Sequence, residues 1–139
     1  MSYIDDIAAI SAMRHARSNV VTASTDSVDF LHPIYEGQSV CLESFVTWTS
    51  RTSMEVFVKV VAEDLLTGDR NVCATSFLTF VAVDENGTPK NIAKVIPETD
   101  EEIWLHNSAP ERAKRRRIRR EESKKIAGEI GHLKPWERE

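Results

Sequence analysis

SYIDDIAAISAMRHAR, residues 2–17, decides the fold. Ile4, Ile7, Ala8, Ile10 and Met13 recur at the i, i+3, i+4 spacing of a helix. Ala9, Ser11, Ala12 and Ala16 fill the gaps with small side chains, so backbone can approach from several sides. Such a rod is expected to be swallowed by the rest of the chain rather than laid on a surface. Asp5 stands near its start, and burying an unpaired charge is costly. Pattern alone reads Ser2-x-x-Asp5 as a capping box, with Ser2 as N-cap, and an acid suits a helix N-terminus. Asp6 reads as a solvated neighbour.

Outward from the helix come strands. VVTASTDSVDF (20–30) is rich in Val, Thr and Ser and holds no Gly or Pro, which predicts a strand ended by His32-Pro33. Three clearer runs follow with a period of two. Val40, Leu42, Val46 and Trp48 form one face of the first, Met54, Val56, Val58, Val60 and Ala62 of the second, and Val72, Ala74, Leu78, Phe80 and Ala82 of the third. The connections, 49–52 and 67–69, suit antiparallel hairpins. The even-numbered face is apolar throughout and should curl around the helix. The odd face mixes Phe45, Phe57, Val61, Phe77 and Val81 with polar residues, so part of it, or a sheet edge, is expected to meet another subunit. One buried helix and an antiparallel sheet make an α+β fold.

Beyond Asn86-Gly87 the chain exits in an extended run. Asp100 to His106 reads as one or two helical turns. A helix is expected from Pro110 to about Ala127, with Ser108 as N-cap and Gly128 as stop. Residues 1–110 carry 7 Lys and Arg against 16 Asp and Glu, and residues 111–139 carry 11 against 6, so an acidic body bears a basic tail. The expected division is a domain over 1–98 and a helical extension over 99–139. The 112–125 arm has the charge for nucleic acid, but no interleaved aromatics and two diluting acids, Glu121 and Glu122, which disfavours that partner.

No run of about twenty apolar residues exists, so no membrane span is expected. The N-terminus lacks the basic and apolar regions of a secretory signal. Cys41 and Cys73 read as reduced core thiols of a cytoplasmic protein. The four histidines are scattered, no metal is expected, and none is read as catalytic: His15 and His32 as structural, His106 and His132 as lying outside the core.

Three stretches, IDDIAAISAMRHARSNVVTASTDSVDFLHPI (4–34), VTWTSRTSMEVFVKVVAEDLLTGDR (46–70) and ATSFLTFVAVDENGTP (74–89), resemble the hot dog-fold acyl-CoA thioesterases, in the bacterial and brain-type acyl-CoA hydrolase branch. The resemblance implies a sheet wrapped around the first helix and hydrolysis of acyl-CoA to fatty acid and coenzyme A. It implies that Asp5 is the catalytic acid, acting on the thioester through a water or directly, and that Thr22 assists. It places Arg51 and Ser53 beside the bound coenzyme, where a guanidinium can pair with phosphate. Coenzyme A belongs to the substrate, so no separate cofactor is implied. The partners it implies are copies of the chain, as a homodimer and a trimer of dimers with sites between subunits. The family's first strand, with the asparagine and Gly-Gly loop that enter the helix, has no counterpart before Ser2, so the chain is expected to be a shortened form of a longer protein. The alternative function is a non-catalytic module that binds acyl-CoA or only assembles.

The chemistry suits these parts. A thioester is activated and thiolate leaves readily. The reaction needs one base or nucleophile, donors for the oxyanion and an apolar slot for the acyl chain. A helix N-terminus supplies N–H donors beside the carboxylate it carries.

Overall fold

A computed structural model describes residues Ser2–Ile130, with side chains from Tyr3 onward. Helix α1 (Ser2–Ala16) is followed by strands β1 (Asn19–Phe30), β2 (Gln38–Thr49), β3 (Ser53–Asp64) and β4 (Arg70–Val83), then helix α2 (Asp100–Ile130). The four strands form one antiparallel sheet in the order β1-β4-β3-β2. β2, β3 and β4 form consecutive hairpins, as their short connections require. β1 joins the far side of β4, which leaves β1 and β2 as the sheet's edges.

The core lies where the period-two reading puts it. Ile4, Ala8 and Ala12 of α1 pack on Val46, Met54, Val56, Val58, Val60, Ala74, Leu78, Phe80 and Ala82, all from even positions. Ala8 and Ala12 are fully buried, so the helix backbone sits close to the sheet. Only that side of α1 is covered. Ile10 and Met13 are 45% and 40% exposed, against the expectation of a swallowed rod. The physical reason is geometric: one four-stranded sheet covers one flank of a cylinder.

Two other expectations fail for local reasons. Trp48 does not continue the even face. Val46 pairs with Val56 but Trp48 with Glu55, so Thr47 is the extra residue of a β-bulge, and the alternation shifts. Trp48 thereby joins the odd face, where its ring centroid lies 5.1 Å from that of His106. Cys41 is exposed because β2 is an edge strand, whereas Cys73 is buried; both thiols are free.

On the odd face Phe45, Phe57 and Phe77 form a row, with centroid distances of 5.6 and 5.1 Å. The first turns of α2 lie over the same face. Lys59 Nζ bridges Glu101 at 3.1 Å and Glu43 at 3.3 Å. Burial draws the Lys59 pKa down, but hydrogen bonds to Glu101 and Glu43 outweigh it and hold it above the usual lysine value. His106 lies outside the core cluster, as expected, but its Nδ1 is 3.0 Å from the Thr47 carbonyl oxygen, which ties it to the sheet. The first compact unit accordingly runs to His106, and a second begins at Asn107.

α2 starts earlier than the Ser108 signal suggests. Its cap is Thr99, whose Oγ1 accepts from the Glu102 amide at 3.1 Å, while the Glu102 carboxylate accepts from the amides of Thr99 (2.8 Å) and Glu98 (3.1 Å). This is a complete capping box. Ser108 is an interior residue that accepts from Arg112 Nη1 at 2.6 Å. Pro110 also lies inside the helix, where it removes one backbone donor, and the helix continues through Gly128. His132 lies outside the described residues.

The cap carries a pH dependence. The Thr99 amide holds the Glu102 carboxyl below the usual carboxylate range, with a smaller opposing effect of burial and further help from Glu98 and the Thr99 hydroxyl. A depressed carboxyl stabilises above its unfolded pKa, about 4.3, and that contribution is lost as pH falls through the folded value. Amide-exchange protection at residues 101–103 is expected to drop in that acid window. In Glu102→Gln the drop should be absent, and an identical acid response in both proteins contradicts the assignment.

Candidate active site

The seam of Ile4, Ala8 and Ala12 fixes how α1 faces the sheet. Ser11 lies on one flank of that seam and reaches β2: its Oγ hydrogen bonds with Ser44 Oγ and donates to the Ser44 carbonyl at 3.3 Å. At about 100° per residue, Asp5 lies roughly 120° around the helix from Ser11, on the opposite flank. That flank looks toward β4 and the open edge strand β1. Asp5 sits in the first turn of α1, where the helix N-terminus favours negative charge.

One oxygen of this carboxylate stands out. Asp5 Oδ1 is buried and has no hydrogen-bond partner among the described residues. Buried polar atoms are nearly always paired, so an orphan on a carboxylate needs an explanation. The capping role expected of the Ser2 side chain lies outside what is described. Asp6, one residue on, is exposed, as its solvated reading requires.

Thr22 lies on β1 opposite Phe80. Phe80 points into the core beneath α1, so Thr22 occupies the helix-facing side of the sheet, and it is exposed because β1 is an edge. Thr22 and Asp5 thus flank the same border of the molecule, although no hydrogen bond joins them. Arg51 is exposed in the β2–β3 turn, with its carbonyl accepting from the Ile92 amide at 3.0 Å. Ser53 Oγ hydrogen bonds with Ser50 Oγ across the same turn. Ser53 pairs with Val81, and Val81 with Val21, so Ser53 and the neighbour of Thr22 share one row across the sheet. Two strand spacings, about 10 Å, separate them. The four expected residues therefore lie on the sheet and helix without meeting in one contact cluster.

Sequence reasoning missed a cavity of about 670 Å³ at the first turn of α1. Tyr3 and Ile4, Phe30 at the end of β1, Leu42, Val60 and Ala74 line it, and it is mostly apolar. His32, read as a turn residue, is also on its wall. The available signal was the apolar density of FLHPI (30–34), which is too rich for a plain strand exit. Among the described residues no group of three or more His, Cys, Asp or Glu side chains is placed to hold a metal, and no helix is long and apolar enough to cross a membrane.

Comparison with known proteins agrees with this arrangement. The sequence pattern of the Thioesterase superfamily matches residues 1–68. An uncharacterized acyl-CoA thioester hydrolase of Bacillus subtilis is 60% identical over 136 residues, which cover 98% of this chain and 79% of that protein. The structure resembles an acyl-CoA hydrolase from Staphylococcus aureus solved with butyryl coenzyme A, coenzyme A and coenzyme A disulfide, with a TM-score of 0.90, 45% identity, and coverage of 95% of this chain and 80% of that one. That hydrolase has also been solved as an Asp-to-Ala and a Thr-to-Ala variant. A hexameric acyl-CoA thioesterase matches with a TM-score of 0.82 and 54% identity, over 85% of this chain and 76% of its own. The helix cradled by four antiparallel strands, the carboxylate in its first turn and these likenesses agree: this chain belongs to the Thioesterase superfamily, with a hot dog fold, among the acyl-CoA thioester hydrolases.

Proposed function

We propose that this protein hydrolyses acyl-CoA thioesters to free fatty acid and coenzyme A, with Asp5 as the base or nucleophile. The observation that carries the reading is the buried Asp5 Oδ1 at a helix N-terminus, which has no hydrogen-bond partner among the described residues. In the water route Asp5 takes a proton from water as the oxygen attacks the thioester carbonyl. The carbon–sulfur bond then breaks, and the thiolate leaves and is protonated. Helix N–H groups favour the negative charge that develops on the carbonyl oxygen. Support for Thr22 as the assisting hydroxyl comes from its place on the helix-facing side of β1. The altered Asp and Thr of the S. aureus hydrolase, at positions 43 and 60 of that chain, are 17 residues apart, as are Asp5 and Thr22.

Arg51 is assigned to the phosphates of coenzyme A and Ser53 to the same ligand. Both stand at the hairpin end of the sheet, Arg51 in the turn and Ser53 in the Val21 row next to that of Thr22, where a long substrate with an acyl end and a nucleotide end has room to extend. The exposed Ile10 and Met13 and the open edge of β1 favour a site completed by a second copy, in a homodimer and a trimer of dimers. The hexameric relative supports assembly of this kind. The thioesterase domain is assigned to residues 1–98 and the basic tail to 99–139.

The separation of the four residues within one chain favours a second reading, a module that binds acyl-CoA without cleaving it. A thiol-release assay on acyl-CoAs of graded length decides between them. Catalysis predicts coenzyme A and free acid in equal amounts. Saturable acyl-CoA binding with no thiol released would establish the module instead.

A further inference from the structure

We infer that Ser44, acting with Ser11, is a positioning residue for Asp5, and that it works by fixing the rotation of α1 on the sheet. The inference rests on the catalytic reading of Asp5 above. Ser44 Oγ donates to the Ile7 carbonyl at 3.1 Å and shares a hydrogen bond with Ser11 Oγ, while Ser11 Oγ also donates to the Ser44 carbonyl. Ile7 and Ser11 are one helical turn apart. The Ile7 carbonyl points toward the Ser11 amide one turn on, so the Ser44 hydroxyl meets both groups at one level and pins that flank of the helix to β2.

Among the described residues, no other side-chain hydrogen bond ties α1 to the sheet. The seam itself is methyl-lined at Ala8 and Ala12, both fully buried, and apolar contact is non-directional. Such a seam lets a helix lie close but resists rolling weakly. Hydrogen bonds have directional preference. Among the described residues, the side-chain hydrogen bonds between α1 and the sheet run through Ser44. His15 Nε2, 2.7 Å from the Ala93 carbonyl oxygen, ties the far end of α1 to the exit segment instead. On the opposite flank no described residue hydrogen bonds to Asp5 Oδ1. Its place is inherited from the helix as a rigid body.

The lever is long enough to matter. A side-chain tip lies about 5–6 Å from a helix axis, so a rotation of about 10° moves it by about 1 Å. A displacement of about 1 Å costs on the order of 10²-fold in rate when it falls on a reacting group. Ser44 is far round the helix from the carboxylate, so its influence passes through α1 and not through contact with substrate.

The test is a double-mutant cycle on the intact chain. Ser44→Ala is expected to lower kcat by at least about 10-fold while KM stays within about 2-fold, the signature of a lost transition-state geometry. Ser44→Thr keeps the hydroxyl and should restore kcat. In the Asp5→Asn background, Ser44→Ala should cause no further loss. Should Ser44→Ala fail to fold, Ser11→Ala, which leaves the Ser44–Ile7 bond in place, takes its position in the cycle. The inference is overturned if the serine variant lowers kcat equally in both backgrounds, or lowers only thermal stability. If Asp5→Asn turns over like the wild type, the catalytic reading of Asp5 has failed, and Ser44 has no carboxylate to position.

Discussion

Asp5→Asn is expected to lower turnover of acyl-CoA by about 10²–10⁴-fold, the range lost with a general base. The substitution keeps the shape of the side chain and removes its charge. Folding should be little affected. The lost interaction with the helix N-terminus is worth only about 0.3–1 kcal/mol. The orphaned Oδ1 forms no hydrogen bond among the described residues that asparagine would break. The measurement pairs thiol release with a thermal melt on the same preparation. Turnover within a factor of about three of wild type, with the melt unchanged, removes Asp5 from the chemistry. A collapse of the melt would restore the capping reading as its main role.

Phe80→Ala is expected to cost about 3–5 kcal/mol of stability, the range for truncating a buried aromatic. Phe80 is 1% exposed and packs in the cluster beneath α1, between Met54 of β3 and Thr22 of β1 in the strand register. Its loss leaves a cavity under the helix that a close-packed alanine seam has no side chains to fill. Urea denaturation should show a lower midpoint with an unchanged slope. A cost under about 1.5 kcal/mol would mean that α1 settles into the gap. In that event turnover should fall more than stability, because Asp5 moves with the helix.

The sheet was legible because its chemistry is periodic. Val56, Val58 and Val60 could face only one way, and Ala8 and Ala12 could only be a close-packing seam. The bulge at Thr47 was not legible. A single inserted residue leaves composition unchanged, yet it sends Trp48 to the other face, where His106 meets it. Helical turns from Asp100 were legible, but the continuity of α2 was not: Ser108 and Pro110 carry a strong local start signal, whereas the helix runs unbroken from the reciprocal cap of Thr99 and Glu102. In the candidate site, Asp5 was visible as an acid on an apolar rod, but the isolation of Oδ1 depends on what surrounds it in space. The flank shared by Asp5 and Thr22 follows from helix rotation and strand register together, and neither alone reveals it. The cavity at the first turn of α1 is built from five elements and the loop after β1, so no single stretch announces it.

Pairing between β1 and β4 slips by one residue between Thr22 and Ser24, and again between Thr25 and Ser27. Each slip bends the open rim and breaks the even spacing of its amides. A foreign strand arriving there would find only short runs in step, so fibre growth by endless strand addition is discouraged. A partner whose own rim carries the same two kinks meets a matching contour, which makes self-recognition selective beyond what the rim carboxylates of Asp26 and Asp29 supply.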